Sequence, residues 1–349
     1  MTDADKKNQK EIKLGFTKKM MTGAIMSVLF MSFFAGSLIT IPAMADNGTG
    51  TTTSNTNPNS VAGLISEATS EKKAAQQTLR QTLQQDQQTY KQAAQQAQTI
   101  YQQAVQNATL EYRQAAQNAN LAYTQAAQQA RSAYSNTTST AHGSITALDP
   151  AMATRDQAIA TAANAQTNTI VAAQVARDKA EYDAWATHQT TVYNALATRD
   201  GSDGTAQANY DTTIGNSTLA TQAQTIGQAH VTADNSILQA IQTRITAVEN
   251  AYVTKDQAVG NAETTYTNAQ VSAEVTADNS YTHDSKTWNT TLQTYWNAIA
   301  ALKQTEDNSI AQANAAQTTA VGSADGARDQ AIDQAYATMY GAISAAYSS

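Results

Sequence analysis

From about residue 60 onwards, small apolar and aromatic residues recur at a helical spacing among glutamine, asparagine and threonine. One bulky residue stands at every eleventh position, and small apolar residues follow each of the first four tyrosines at +3, +4 and +7. Eleven residues make three turns at about 3.67 residues per turn, so this hendecad pattern keeps one stripe on one face of a nearly straight helix. The series consists of Leu79, Tyr90, Tyr101, Tyr112, Tyr123 and Tyr134.

The hendecad series predicts one long helix over residues 60–135. Alanine and glutamine are good helix formers, so local propensity agrees with the period. A stripe of alanine and tyrosine stabilises a helix only against a partner, and we interpret it as a helix-packing stripe. The alternative is an aromatic surface for sugars or lipid.

A break in the helix is predicted over residues 136–150. This segment is rich in Asn, Thr and Ser, contains Gly143 and ends in Asp149-Pro150. Aspartate followed by proline is typical of a helix N-cap with proline in the first turn. The pattern therefore predicts a hinge, with a new helix from residue 151.

A 22-residue repeat, twice the hendecad, organises the rest of the chain. A short motif with a central Asp returns in three blocks, within residues 151–200 and 218–349. The glycine-rich segment 201–217 between the first two blocks predicts a turn. The marker residues are Asp156, Asp178, Asp200, Asp234, Asp256, Asp278, Asp307 and Asp329.

The last two blocks are out of phase by seven residues. The interval from Asp278 to Asp307 is 29 residues instead of 22. A continuous helix can absorb such an insertion as a local change of winding. Trp288 and Trp296 lie in this interval, and we interpret them as its packing anchors.

The recurring Asp residues raise the question of a metal site. Calcium loops gather their ligands within about twelve residues, whereas each marker Asp has at most one acidic neighbour nearby. We therefore predict no metal and interpret the markers as solvated positions or turn caps. Since Asp, Asn and Ser are poor residues inside a helix, a bundle of short hairpins is the alternative to long helices.

The first 45 residues have the order of a secretory signal peptide. Six lysines precede an uncharged stretch from residue 20 to residue 41, and Ala43-Met44-Ala45 follows. Small residues at Ala43 and Ala45 fit a signal peptidase, so cleavage is predicted after Ala45. An uncleaved anchor is the alternative, because 22 uncharged residues can cross a bilayer. Residues 46–59 are polar without a period, which predicts a flexible spacer.

The net charge and the absence of cysteine exclude some kinds of partner and of site. After residue 45 the chain has 21 − 6 = 15 basic and 28 − 3 = 25 acidic residues, a net charge of −10. A chain this acidic repels nucleic acid and anionic surfaces. There are no cysteines, which excludes disulfides and thiolate metal sites.

No catalytic motif is visible in the sequence. The four histidines are isolated, and neither a nucleophile elbow nor a phosphate-binding loop occurs. A composition with few large apolar residues also offers little wall for a dry pocket. We therefore expect no enzyme, no catalytic residues and no cofactor.

The signal, the polar spacer, the Ala/Gln-rich hendecads and the acidic cysteine-free chain together resemble exported coiled-coil surface proteins of Gram-positive bacteria, particularly lactic acid bacteria. The resemblance implies a role in adhesion, aggregation or envelope architecture, and it assigns no functional residue. We expect an all-α elongated coiled coil or helical bundle that is secreted, extracellular or loosely attached to the cell surface. Its partner would be itself, as a homo-oligomer or an intramolecular bundle, or a cell-surface component.

The 11- and 22-residue periods also resemble the repeats of lipid-binding apolipoproteins. Those repeats combine a bulky apolar face with many basic residues, whereas this chain has alanine and few lysines. Membrane affinity is therefore expected to be weak, apart from the signal segment if it is not cleaved.

Overall fold

The computed structural model describes residues 61–140, 145–279 and 285–348, which form four long helices joined by short connections. The all-α prediction of long, mutually packed helices is confirmed. They contain 80, 69, 63 and 64 residues, or about 95–120 Å each at 1.5 Å per residue. They are α1 (Val61–Thr140), α2 (Ile145–Thr213), α3 (Ser217–Asn279) and α4 (Ser285–Ser348). The predicted signal peptide, its cleavage site at Ala43 and Ala45, and the spacer lie outside the described residues.

Each helix packs against its neighbours in sequence. In the part of the chain that the structure describes, close backbone contacts join α1 to α2, α2 to α3 and α3 to α4, and no other pair of helices. Contacts step along paired helices in opposite directions, so the pairs are antiparallel. Tyr90, in the first half of α1, lies against Arg199 in the second half of α2. Tyr134, near the end of α1, lies against Arg155 near the start of α2.

The beginning of α1 extends past the end of α2. In the antiparallel register, Thr213 at the end of α2 lies near residue 76 of α1. The residues from Leu64 to Ala74 are exposed, and Leu79 is the first of the helix to be fully buried. About four turns of α1 therefore lack a partner helix within the described chain.

The turn between α2 and α3 is much shorter than the predicted segment 201–217, so that prediction is wrong in extent. The helix continues to Thr213, and only three residues reverse the chain. Gly215 adopts a φ of 85°, which a residue with a side chain rarely adopts. The Oδ1 atom of Asn216 accepts a hydrogen bond from the Leu219 N–H at 3.0 Å and caps α3.

The glycines of segment 201–217 have a packing role inside α2. A Cβ atom on Gly204 would lie 2.8 Å from the Cα of Gly227 in α3. The two helices therefore cross so closely that only glycine fits at this point. A glycine cluster that predicts a turn here marks a helix contact instead.

Two further boundary predictions are also wrong. The second helix begins at Ile145 rather than residue 151, and Pro150 lies inside it. The seven-residue excess before Asp307 does not lie in a continuous helix, because α3 ends at Asn279 and α4 begins at Ser285. The repeat is out of phase there because a new helix starts with its own register.

The core of the bundle is thin. Between α1 and α2 it consists largely of alanine, and Ala97, Ala108 and Ala119 are each at most 5% exposed. Larger side chains gather where α2, α3 and α4 meet, around Tyr182 and Ile245. Trp296 is not a packing anchor, since it is 62% exposed.

Candidate functional site

The hendecad tyrosines of α1 and the arginines of the 22-residue motif in α2 meet along one seam. Each arginine lies next to a marker Asp in sequence and places its guanidinium over the face of one tyrosine. The tyrosines covered in this way are every second one of the series. The distances from guanidinium to ring centre are 4.7 Å for Arg155 on Tyr134, 4.8 Å for Arg177 on Tyr112 and 5.2 Å for Arg199 on Tyr90. Such cation–π contacts contribute about 0.5–2 kcal/mol each.

At the levels between these layers, other residues on the same face of α2 contact α1. Tyr101 packs on His188, with ring centres 5.9 Å apart. Burial lowers the pKa of His188 and raises the pKa of Tyr101. Near Tyr123, Gln166 donates a hydrogen bond to Asn120 across the seam at 2.5 Å. The partners on α2 therefore also recur every eleven residues.

The same arginines hold the marker carboxylates of α2. The Arg155 Nε donates to Asp156 at 2.7 Å, and the Arg199 Nε donates to Asp200 at 2.8 Å. Arg177 forms the equivalent pair with Asp178. Each arginine thus connects a tyrosine of α1 to a marker carboxylate of α2.

Marker residues from the first two blocks face each other across α2 and α3. Asp178 and Asp256 come within hydrogen-bonding reach, and Asp200 acts electrostatically on Asp234. In the third layer, Asp278 acts electrostatically on Arg155. The pairs recur at 22 residues in opposite directions along the two helices. The 22-residue repeat is therefore the spacing of carboxylate layers in the bundle.

The interpretation of the markers as solvated positions is wrong for these two blocks. Asp178, Asp234 and Asp256 are 6%, 8% and 3% exposed, because alanine lets the helices approach closely. In the third block the interpretation agrees with the structure, since the side chains of Asp307 and Asp329 are 62% and 63% exposed.

A further carboxylate pair connects α1 to α2. Asp203 and Asp86 come within hydrogen-bonding reach, and Asp86 Oδ2 and Asp203 Oδ1 are buried without a hydrogen-bond donor among the described residues. Burial, with the nearby carboxylates, raises the pKa of Asp203 to about 7. Burial and Asp200 likewise raise the pKa of Asp234 to about 7. Asp86 lies outside the 22-residue motif, but it occupies the +7 position after Leu79, where the later hendecads have Ala97, Ala108 and Ala119. An acidic residue at this seam position is the sequence signal that points to the pair.

The seam between α3 and α4 carries its own cation layers. Arg244 of α3 pairs with Asp325 of α4 at 2.5 Å and lies 5.6 Å from the ring centre of Trp185 in α2. Lys303 lies 5.6 Å from the ring centre of Tyr266 and 2.7 Å from Glu306. Polar layers of a cation, an aromatic ring and a carboxylate thus recur in all three seams.

Two apolar surfaces are left open on the outside of the bundle. Ile100, Leu110 and Leu121 of α1 are 52–57% exposed and follow one another at ten and eleven residues. On the other side, α3 and α4 form an open groove of about 900 Å³ whose floor includes Ala233, Ala335 and other small residues.

Residues 61–140, 145–279 and 285–348 contain no group of three or more His, Asp or Glu arranged to hold a metal ion. None of the four helices has an apolar stretch of the length and hydropathy of a membrane span.

No protein-family model matches the chain, and neither does any curated protein or solved structure.

Proposed function

We propose that this chain is an exported structural or interaction protein of the cell surface, acting in adhesion, aggregation or envelope architecture. The observation that carries the proposal is the construction of the bundle. Four helices of 63–80 residues are held together by polar layers and a thin alanine core. The chain therefore forms long helices and not a compact hydrophobic interior. Export rests on the order of charges and apolar residues in the first 45 positions.

The apolar line on the outside of α1 is the surface that we assign to interaction. Large side chains cost free energy when they face water, and Ile100, Leu110 and Leu121 are each more than half exposed. The spacing of ten and eleven residues places them along one side of α1 about 16 Å apart. A line of this kind suits a helix of a second copy or an elongated surface component.

The proposal is tested with the full chain expressed in a Gram-positive host. The mature protein is expected to begin at Asp46 and to be digested when intact cells are treated with a protease. Cells that produce it are expected to aggregate more than cells with an empty vector. An intact protein found only inside the cells would contradict the proposal.

Matched variants test the apolar line separately. Changing Ile100, Leu110 and Leu121 together to Gln is expected to leave helicity unchanged and to reduce aggregation several-fold. The control changes three exposed glutamines of the same helix, Gln95, Gln106 and Gln117, to Ala and is expected to aggregate like the wild type. Helix content that rises only on phosphatidylcholine vesicles would favour the lipid-binding alternative instead.

A further inference from the structure

We propose that the carboxylate pairs between α1, α2 and α3 make the bundle proton-responsive: it takes up protons as it folds and is more stable in mild acid than in mild alkali. The inference concerns regulation of the fold and does not depend on the proposed function. It rests on the position, burial and hydrogen bonding of six aspartates.

The pair between α1 and α2 has two acceptors facing each other. Asp86 and Asp203 lie within hydrogen-bonding reach, yet Asp86 Oδ2 and Asp203 Oδ1 have no hydrogen-bond donor in the described chain. Two ionised carboxylates cannot hydrogen bond, whereas one shared proton supplies the missing donor. Arg199 and Asp200 are the nearby charges; the arginine favours ionisation of Asp203 and the aspartate opposes it.

The pair between α2 and α3 at the same end of the bundle is more deeply buried. Asp234 is 8% exposed, and its Oδ2 has no hydrogen-bond donor in the described chain. Asp200 disfavours its ionisation and Arg199 favours it. Tyr90 of α1, Tyr193 of α2 and Tyr336 of α4 also face this carboxylate. His230 of α3 lies 3.9 Å from Asp200.

The third pair lies 22 residues further along the same helices. Asp178 reaches Asp256, which is 3% exposed, and burial raises the pKa of Asp178 although Arg177 opposes the shift. Lys255 lies 2.8 Å from Asp256 Oδ1, while Asp256 Oδ2 has no hydrogen-bond donor in the described residues. Glu181, Tyr182 and Tyr252 surround the pair from α2 and α3.

The direction of the pH effect follows from where the protons bind. An aspartate whose pKa is 3.8 in the unfolded chain and about 7 in the bundle is protonated in the folded state over the interval between these values. The folded chain then binds more protons than the unfolded chain. Stability from these groups is therefore present at mildly acidic pH and is lost as the pH rises through about 7.

One buried histidine acts in the opposite direction. Burial lowers the pKa of His188, so the folded chain releases a proton there that the unfolded chain holds near its ordinary pKa of 6.5. Its contribution to stability is lost as the pH falls through that value. The aspartates outnumber it, and their net effect is a bundle that is more stable at about pH 5.5 than at about pH 8.

Urea unfolding of the mature full-length protein, followed by circular dichroism, tests the proposal. The midpoint is expected to be clearly higher at about pH 5.5 than at about pH 8. Asp86→Asn and Asp234→Asn, separately and together, are expected to raise the midpoint at the higher pH, because an amide donates to the facing carboxylate without a proton. The double variant is expected to lose at least about half of the wild-type difference between the two pH values.

Two exposed aspartates provide controls with the same change in net charge. The side chains of Asp183 and Asp329 are 61% and 63% exposed, and Asp183→Asn and Asp329→Asn are expected to keep the wild-type pH dependence. This comparison separates the pairs from the general repulsion within an acidic chain. Equal midpoints for the wild type at both pH values, or pair variants that behave like the controls, would overturn the proposal.

A measurement without variants keeps the test independent of their folding. Refolding by dilution from urea in a weakly buffered solution near neutral pH is expected to consume protons, which a pH indicator registers as a rise in pH. Release of protons, or no exchange, would also overturn the proposal.

Discussion

At the residue scale, each motif arginine of α2 has two partners that lie on different helices. Arg177 places its guanidinium over Tyr112 of α1 and also pairs with Asp178, the residue next to it. Side chains of adjacent residues on a helix do not normally face each other. Arg177 and Asp178 can pair because the guanidinium of Arg177 lies over the ring of Tyr112. The planar fork of arginine suits this double contact, because its flat face covers the ring while its N–H groups reach the carboxylate. In α3, Lys255 makes a similar double contact, 5.9 Å from the ring centre of Tyr252 and 2.8 Å from Asp256.

Replacing this arginine is predicted to cost more than a surface ion pair. Arg177→Ala leaves Asp178, which is 6% exposed, facing Asp256 without its cation. Loss of one partner from a buried pair costs about 3–5 kcal/mol, and partial exposure of Arg177 reduces the expected loss to about 2–3 kcal/mol. Urea unfolding near neutral pH measures it.

The control for this prediction is an arginine on the exposed side of α1. Arg113→Ala is expected to change the free energy of unfolding by less than about 0.5 kcal/mol. The double variant Arg177→Ala with Asp178→Asn is expected to recover part of the loss, because the uncompensated charge is removed. A single Arg177→Ala variant as stable as the control would show that the layer contributes little.

At the element scale, one close contact between helices depends on two glycines. Gly204 and Gly227 face each other between α2 and α3, and a Cβ on Gly227 would lie 2.9 Å from the Cα of Gly204. Backbone atoms cannot move aside as a flexible side chain can. The two helices would have to separate to accept a methyl group.

Gly204→Ala is therefore predicted to destabilise the bundle although alanine favours the helix. Overpacking costs about 1–3 kcal/mol, which exceeds the gain of about 1 kcal/mol from helix propensity. Gly322→Ala in α4 is the matched control, since no atom lies within 4 Å of its Cβ position, and it is expected to be stabilising by about 0.5–1 kcal/mol. Thermal unfolding compares the two. Stabilisation by both substitutions would contradict the close contact.

The elements were predictable from the sequence where they depend on period and propensity. The tyrosine series fixes one face of α1, and a helix forms there whatever partner covers it. The positions of the turns were not predictable in the same way. Gly204 and Gly215 look alike in the sequence, yet one lies in a helix contact and the other in the turn.

The pairing of repeats was not predictable for a related reason. A period shows that Asp178 and Asp256 occupy equivalent positions, but only the positions of the turns bring the two residues to the same level. The same holds for Tyr112 and Arg177, which belong to repeats of different length. Asp86 occupies the +7 position of the Leu79 hendecad, which places it at the seam, but its pairing with Asp203 becomes visible only in three dimensions.

At the scale of the whole molecule, the repeats act as units of length. Successive carboxylate layers are 22 residues apart along a helix, which corresponds to an axial rise of about 33 Å. The layers on α1, α2 and α3 stay aligned because all helices use the same step. Removal of one step from every helix should then shorten the bundle and keep its construction.

One 22-residue segment can be deleted from each of the four helices at the same level of the bundle. The shortened chain keeps Tyr123 near Gln166 and restores a 22-residue interval between Asp234 and Asp278. It is expected to fold with wild-type helicity and a maximum dimension reduced by about 33 Å in small-angle X-ray scattering. The segments removed are 101–122, 167–188, 246–267 and 302–323.

The control removes 20 residues at each of the same places, which leaves nearly the same length but turns each helix by roughly half a turn relative to its seam. The apolar stripe then changes face within every helix, so this chain is expected to lose cooperative unfolding. If the 22-residue and 20-residue deletions behave alike, length is not built from these repeats, and the helices tolerate any register. If only the first folds, each repeat is one interchangeable layer, and the length of the bundle can be changed without altering the layers that hold it together.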